Sequence, residues 1–459
     1  MASISSELET QGAHRLNPWT LFALMLGVII VTLDISLTST AVPAISQGLG
    51  ADPADTIWII NIYYLAVIAM LLPLGALGEI YGHRRVFLSG LLVFAAGSMA
   101  SAMADTLTAL MAGRGLLGLG AAAVSATTPA LIRELYPPGK LGRGLGLYAV
   151  IVGVAFTAGP TVASIILSVA PWHWLFIPAA PWALVAAVLG YKGLPATPRN
   201  IRPFDPVAAI VCAGMFAALL LGVSGIAHLG WPWVVASFAV TLVAAYWLRR
   251  REAGQAAPVF AVDLFGIRFF SLSVVTAVSA FAVQGLAFVV LPFLFITKLG
   301  YSQVEAGFLL TPWPATLVLM TVVVSRIVEH ITPAVLGAVG LAVVAMGLWL
   351  LVSVPESVSV YDLAWRLALC GLGYGLFQAP NMVALMDSAP RNRSGSAGGI
   401  LATARLLGQA IGATIVALCL SVWSDQGIVV ALWLGVFLAA LGCIVSAVRM
   451  TRFAKPRPA

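Results

Sequence analysis

Fourteen apolar stretches, each long enough to cross a bilayer as a helix, occupy most of the sequence: roughly 18–45, 56–78, 86–104, 107–132, 144–169, 174–191, 206–227, 231–248, 270–297, 303–325, 333–353, 361–387, 395–423 and 427–448. A helix needs about 20 apolar residues to span the hydrocarbon core, and backbone polar groups there must be satisfied within the helix or in a closed barrel. These runs are too long and too rich in small residues for the alternating pattern of a barrel, so an all-α membrane protein is expected. The 459 residues are 61% hydrophobic and 9% charged, with a mean hydropathy of +1.02. A soluble domain carries about 25% charged residues.

An even number of spans puts both ends of the chain on one side, and Lys and Arg say which. Most of the 24 fall in the tails or in alternate loops, while the opposite loops carry Lys298 among Asp52, Asp55, Asp105, Glu305, Glu356, Asp362 and Asp425. By the positive-inside rule both termini are cytoplasmic. The net charge of +7 then reflects orientation, and no nucleic-acid partner is expected. The polar first 16 residues precede a run too long and too acidic for a cleaved signal, so the first span is expected to persist. Cys212, Cys370, Cys419 and Cys443 lie inside apolar runs, as small hydrophobes rather than metal ligands or disulfides. The Ala- and Gly-rich composition fits a bacterial source, which makes the inner membrane the expected location.

No segment between the runs is long enough for a soluble catalytic domain, and no phosphate-binding GxxxxGK[ST] is present. Gly113, Gly115 and Gly118 satisfy GxGxxG, but inside an apolar run where no strand precedes them; there they let helices approach closely. His14, His83, His173, His228 and His330 are scattered over loops and tails on both sides, without the cluster at one depth that membrane-embedded catalysis needs. An enzyme is therefore not expected, nor is a sensor, since no soluble signalling segment stands out.

The first run carries Asp34 about 25 Å along the helix from the cytoplasmic end. A charged side chain at that depth costs about 2.5 kcal/mol or more, so the group must be protonated, paired or facing a water-filled cavity. It is a candidate functional site; a hydrogen bond that locks helix packing is the plainer alternative. Arg114, about 10 Å inside the outer face, is the fixed charge suited to lower the pKa of Asp34 or exchange partners with it, unless it only bonds backbone carbonyls.

The chain also echoes itself. Gly75-Ala-Leu-Gly-Glu79-Ile-Tyr-Gly82-His83-Arg84-Arg85 follows the second run, and Ser325-Arg326-Ile-Val-Glu329-His330 follows the tenth. Two six-span halves, 1–200 and 251–459, are expected around a two-span insert at 201–250, which gives fourteen helices as 6 + 2 + 6. Repeats of this kind place substrate near the bilayer midplane between halves that rock around it. Glu79, beside His83, Arg84 and Arg85, is positioned for an ion-pair latch, and Glu329 for the same at the second site.

These segments resemble the major facilitator superfamily, and within it the fourteen-span drug:proton antiporter family, over nearly the whole chain. The Glu79 loop is similar to the signature between helices 2 and 3, with Glu for the usual Asp, and implies a cytoplasmic gate that includes Gly75, Gly82, Arg84 and Arg85. Leu33-Asp34-Ile-Ser-Leu-Thr-Ser-Thr-Ala-Val-Pro43, Trp58-Ile-Ile-Asn-Ile-Tyr63 and Leu110-Met-Ala-Gly-Arg114-Gly-Leu-Leu-Gly118 look like motifs of helices 1, 2 and 4. Gly146, Gly159 and Pro160 resemble the antiporter motif of the fifth helix, with Ala155 and Ala163-Ser164 departing from it. Trp172-His-Trp174-Leu-Phe176, Gly371 to Asn381 and Thr403-Ala-Arg405-Leu-Leu-Gly408 also match the family's habits.

The likeness is strongest to exporters of quaternary ammonium compounds and methyl viologen. It implies a proton-coupled antiporter for hydrophobic cations, driven by the proton gradient without a cofactor and expected to act as a monomer, with antibiotic resistance as a consequence. Export of an endogenous metabolite or antibiotic on the same scaffold is the alternative. Asp34 can hold a proton or a cation but not both cheaply, which is the minimum device for antiport. Aromatic and soft side chains suited to a lipophilic cation are Trp58, Tyr63, Tyr148, Phe281, Phe288, Trp313, Phe377, Met382 and Met386, with Gln284, Gln378 and Asn381 as polar partners. Trp58 equally suits an interfacial belt. Asp387 is placed to cap its helix or pair with Arg391 and Arg393, and Arg405 to pair with Asp387.

Overall fold

The computed structural model describes residues 18–136, 141–195, 205–225, 230–252, 262–327, 331–355, 358–389, 394–423 and 426–453. Every regular element among them is helical. The long helices are α1 (Pro18–Leu49), α2 (Trp58–Tyr81), α3 (His83–Ala102), α4 (Leu107–Leu135), α5 (Leu141–Val169), α6 (Ala179–Gly193) and α7 (Pro206–Gly225). They continue as α8 (Trp231–Glu252), α9 (Arg268–Phe293), α10 (Gln303–Leu310 and Pro312–Ile327), α11 (Pro333–Val352), α12 (Val360–Ser388), α13 (Ser394–Trp423) and α14 (Gly427–Phe453). Thirteen are long and apolar enough to cross a membrane; α12 stands apart because Asp362, Arg366, Gln378, Asn381 and Asp387 dilute it.

Two of the expected continuous helices are locally remodelled. The run at 303–325 breaks between Leu310 and Pro312, because proline offers no N–H and its ring crowds the carbonyl four residues back. At the start of this helix Ser302 and Glu305 form a capping box: the Ser302 hydroxyl accepts from the Glu305 N–H and the Glu305 carboxylate from the Ser302 N–H at 2.8 Å. At the end of α9 the chain winds into a π turn over Leu294–Lys298.

Packing repeats with an offset of eight helices. In the first half α1 packs on α5 and α6, α4 on α2 and α3, and α3 on α6; in the second, α9 packs on α13 and α14, α12 on α10 and α11, and α11 on α14. Glycine marks the tightest crossings, and it does so equivalently. A Cβ on Gly120 would stand 2.6 Å from the Gly90 carbonyl oxygen across α3 and α4, and one on Gly340 2.5 Å from that of Gly373 across α11 and α12. The halves meet through α1 on α9, α5 on α10 and α2 on α13.

Helix α7 lies against α2 and, less extensively, α13, and α8 packs on α7 alone among the longer contacts. Most of α8 faces outward, with Trp231, Trp233, Leu242 and Tyr246 exposed. Asp205 clasps the pair at one end. It accepts from Arg251 Nε at 2.6 Å and Nη2 at 3.1 Å, and caps α7 by accepting from the Ala208 N–H at 3.0 Å. These bonds, those from Arg251 first, hold its carboxyl below the usual carboxylate range.

Candidate functional site

Helix α1 carries Asp34 into the interior, where its Oδ2 accepts from Arg114 Nη1 of α4 at 2.7 Å. Asp34 is 3% exposed and Arg114 0%. The guanidinium also donates from Nε to the Ile59 carbonyl of α2 at 3.4 Å and lies 4.7 Å from the Tyr63 ring centroid and 5.6 Å from that of Phe176. Its Nη2 is buried without a partner. The pair thus ties α1 to α4 within aromatic walls, and Arg114 bonds a backbone carbonyl in addition to the carboxylate rather than carbonyls alone.

Beyond Asp34, the hydroxyls of Thr38, Ser39 and Thr40 turn back onto the carbonyls of Asp34, Ile35 and Ser36 at 2.8, 2.8 and 3.0 Å. Such bonds satisfy hydroxyls in an apolar helix at the cost of competing with its own ladder. Ser36 instead donates to the Phe156 carbonyl of α5 at 2.7 Å. A Cβ on Gly159 would overlap Ser36 Oγ, so α1 and α5 meet there at backbone distance. On the other side of α5, a Cβ on Gly307 would overlap Ser164 Oγ and stand 2.7 Å from the Pro160 carbonyl oxygen. The Thr161 and Thr311 hydroxyls bond at 2.8 Å, and Gln303 Nε2 donates to the Thr40 carbonyl at 3.4 Å. Gly159 and Pro160 therefore sit in a seam that joins α1, α5 and α10 across the two halves. Gly146 lies near the start of α5.

A second polar centre spans both halves. Gln409 of α13 donates from Nε2 to Gln284 Oε1 of α9 at 3.1 Å, Tyr64 of α2 donates to Gln409 Oε1 at 3.3 Å, and Tyr374 of α12 donates to Gln284 Oε1 at 3.4 Å. Aromatic rings surround it edge to face: Phe281 with Tyr374 at 6.1 Å, Tyr374 with Phe377 at 5.8 Å, Tyr63 with Tyr64 at 5.9 Å, and Phe288 with Trp313 at 5.8 Å. Trp313 is fully buried and its Nε1 has no partner. Trp58, Tyr148 and Gln378 are half-buried, and Gln378 Oε1 is a further orphan.

Two further cavity candidates lie next to each other on α12 in different surroundings. Met382 is 43% exposed. Asn381 accepts from Arg449 Nη1 at 2.8 Å and donates to the Ser273 carbonyl at 3.3 Å. Arg449, 1% exposed, also bonds the hydroxyls of Ser273 at 2.9 Å and Ser446 at 2.7 Å, so it knots α9, α12 and α14 together.

At the turn between α2 and α3, Gly82 has φ +95°, a conformation that L side chains rarely adopt. Glu79 and Arg85 are exposed, and among the described residues Glu79 makes no ion pair; Gly75 is half-buried with only Ala126 near it. Arg84 reaches the Tyr191 carbonyl at the end of α6 and lies 5.6 Å from that tyrosine's ring centroid. Glu329 lies outside the described residues. Asp387 is exposed and unpaired with Arg405. Tyr64, Tyr374, Gln409 and Arg449 were not singled out from sequence; only Gln409, an amide one helical turn after Arg405 in an apolar run, carried a signal there.

A family model described as Major Facilitator Superfamily matches residues 24–211 and again 207–413. A relative described as "Uncharacterized transporter YebQ", of Escherichia coli (strain K12), is 40% identical over 435 residues, covering 94% of this chain and 95% of that one. Multidrug resistance protein Stp of Mycobacterium tuberculosis (strain CDC 1551 / Oshkosh) is 28% identical, covering 89% of this chain and 77% of that one. In fold, a crystal structure of a POT family transporter in complex with 5-aminolevulinic acid superposes with a TM-score of 0.76 at 15% identity, over 97% of this chain and 99% of that one.

Proposed function

The chain belongs to the Major Facilitator Superfamily and is a multi-pass transporter of the bacterial inner membrane, and on that premise we propose that it is a proton-coupled antiporter exporting hydrophobic aromatic compounds. Hydrophobic cations such as quaternary ammonium compounds, methyl viologen and cationic dyes are its first expected substrates. The Asp34–Arg114 pair carries this reading. Protonating the carboxylate removes its hold on the guanidinium, and deprotonation rebuilds the pair, so one proton switches the link between α1 and α4. A cation reaches that carboxylate only when the pair has opened.

Two six-helix halves, 1–200 and 251–459, would rock around the centre, with 201–250 inserted between them and both termini in the cytoplasm. The α5–α10 seam then closes the outer side, and the turn at Gly75, Glu79 and Gly82 gates the inner one. The proton gradient is the energy source, no cofactor takes part, and the unit is a monomer. A second reading, export of an aromatic metabolite or antibiotic, is favoured by Arg405, a half-buried cation in α13 without a carboxylate partner among the described residues.

Ethidium transport in proteoliposomes under an imposed proton gradient tests the proposal. Wild-type chain moves the dye only with the gradient, and Asp34→Asn does not. Equal transport by the variant would move the coupling site elsewhere, and no cationic dye moved by the wild type would leave only the second reading.

A further inference from the structure

Among the described residues, Asp34, Arg114 and Arg405 bring charge to the polar centre, and the three do not cancel. Asp34 and Arg114 neutralise each other. Arg405 remains. It lies half-buried in α13 and, among the described residues, makes no ion pair or hydrogen bond. An unpaired guanidinium inside a spanning helix is expensive, and a chain keeps it where something else supplies the missing acceptors.

Its surroundings say what fits. Gln409, one turn further along α13, bonds Tyr64 and Gln284, and positions four apart on a helix share a face, so Arg405 looks onto the same junction of α2, α9 and α12. Its charge acts on the hydroxyls of Tyr63 and Tyr64 of α2 and of Tyr374 of α12. The neighbouring rings of Phe281, Tyr374 and Phe377 offer edges and faces to a flat aromatic body. A guanidinium fork takes a carboxylate with two parallel hydrogen bonds, and an ionised phenol with one.

We infer that Arg405, with Tyr64 and Tyr374 beside it, is the recognition point for an anionic oxygen group, a carboxylate or ionised phenol, carried on an aromatic substrate. This rests on the second reading, export of an aromatic metabolite or antibiotic through the central site, and narrows its substrate against the first: aromatic anions and zwitterions are held better than aromatic cations, which Arg405 repels.

Three pyrene derivatives of nearly equal shape separate charge from hydrophobicity: 1-pyrenecarboxylate, 1-pyrenecarboxamide and 1-pyrenemethylammonium. Their fluorescence anisotropy is titrated with the purified full chain in detergent, wild type against Arg405→Gln and Arg405→Lys. The wild type binds the carboxylate about tenfold or more tightly than the amide, a margin suited to a partly buried charged hydrogen bond. Arg405→Gln erases that margin and tightens the ammonium compound, while Arg405→Lys keeps part of it. Opposite signs on two ligands are not produced by misfolding. Equal wild-type affinity for carboxylate and amide, or a carboxylate affinity in Arg405→Gln within twofold of wild type, overturns the assignment. If the binding pattern holds but no derivative moves under a proton gradient, the site stands and the exporter reading falls.

Discussion

Removing one member of the Asp34–Arg114 pair leaves the other charged and buried, a loss of about 3–5 kcal/mol. Arg114→Met is therefore expected to lower the thermal unfolding midpoint in detergent, and Asp34→Asn combined with Arg114→Met to recover most of it, since neither charge is then stranded. Additive losses in the double variant would mean that the two residues act separately. Both were legible in the sequence, because a charge in an apolar run is costly and must be paired, protonated or hydrated. Tyr64 and Tyr374 were not, for the opposite reason: tyrosines also populate membrane interfaces, and lipid-facing and core-facing surfaces are equally apolar, so the sequence carries no signal for how each helix is rotated.

Close approach between elements depends on single missing side chains. Gly307→Ala would drive a methyl group into Ser164 Oγ and the Pro160 carbonyl, so the α5–α10 seam cannot close. Transport is expected to fall at least about tenfold, with α10 held away from α5 as measured by the distance between spin labels on these helices, and Ser164→Gly to restore part of it. A normal seam in Gly307→Ala would refute this account. At Gly82, φ +95° makes any Cβ strained, and Gly82→Ala is expected to cost about 1–3 kcal/mol in unfolding experiments without altering substrate affinity. The helices themselves were legible from run length alone. The break before Pro312 was not foreseen, although the proline that causes it was visible, because proline inside spanning helices is often absorbed as a kink: Pro43, Pro73, Pro129 and Pro160 all lie within unbroken helices.

For the molecule as a whole, α7 is expected to travel with α2, its more extensive partner, as the halves rock. A disulfide engineered between α7 and α2 should leave transport intact, whereas one between α7 and α13 should stop it; the reverse result would attach the inserted pair to the second half. Asp205, whose carboxyl Arg251 holds below the usual range, contributes its clasp fully above the ordinary carboxylate value and loses it only as pH falls through the lowered one. It stays ionised from about pH 5 to 8, and Asp205→Asn should therefore preserve the pH profile of transport over that window. The eight-helix packing offset also aligns Asp34 with Gln284, each sixteen residues beyond the first residue of its helix. One half has a carboxylate where the other has an uncharged amide, so only one of the two can store a proton. That asymmetry has an electrical outcome. Exchanging one proton for a singly charged cation moves no net charge, whereas exchanging it for a zwitterion carries one charge inward per cycle, and a membrane potential of 100 mV then adds about 2.3 kcal/mol to the driving force. Valinomycin-clamped vesicles would show accumulation of a zwitterion rising with voltage and that of a monovalent cation staying flat.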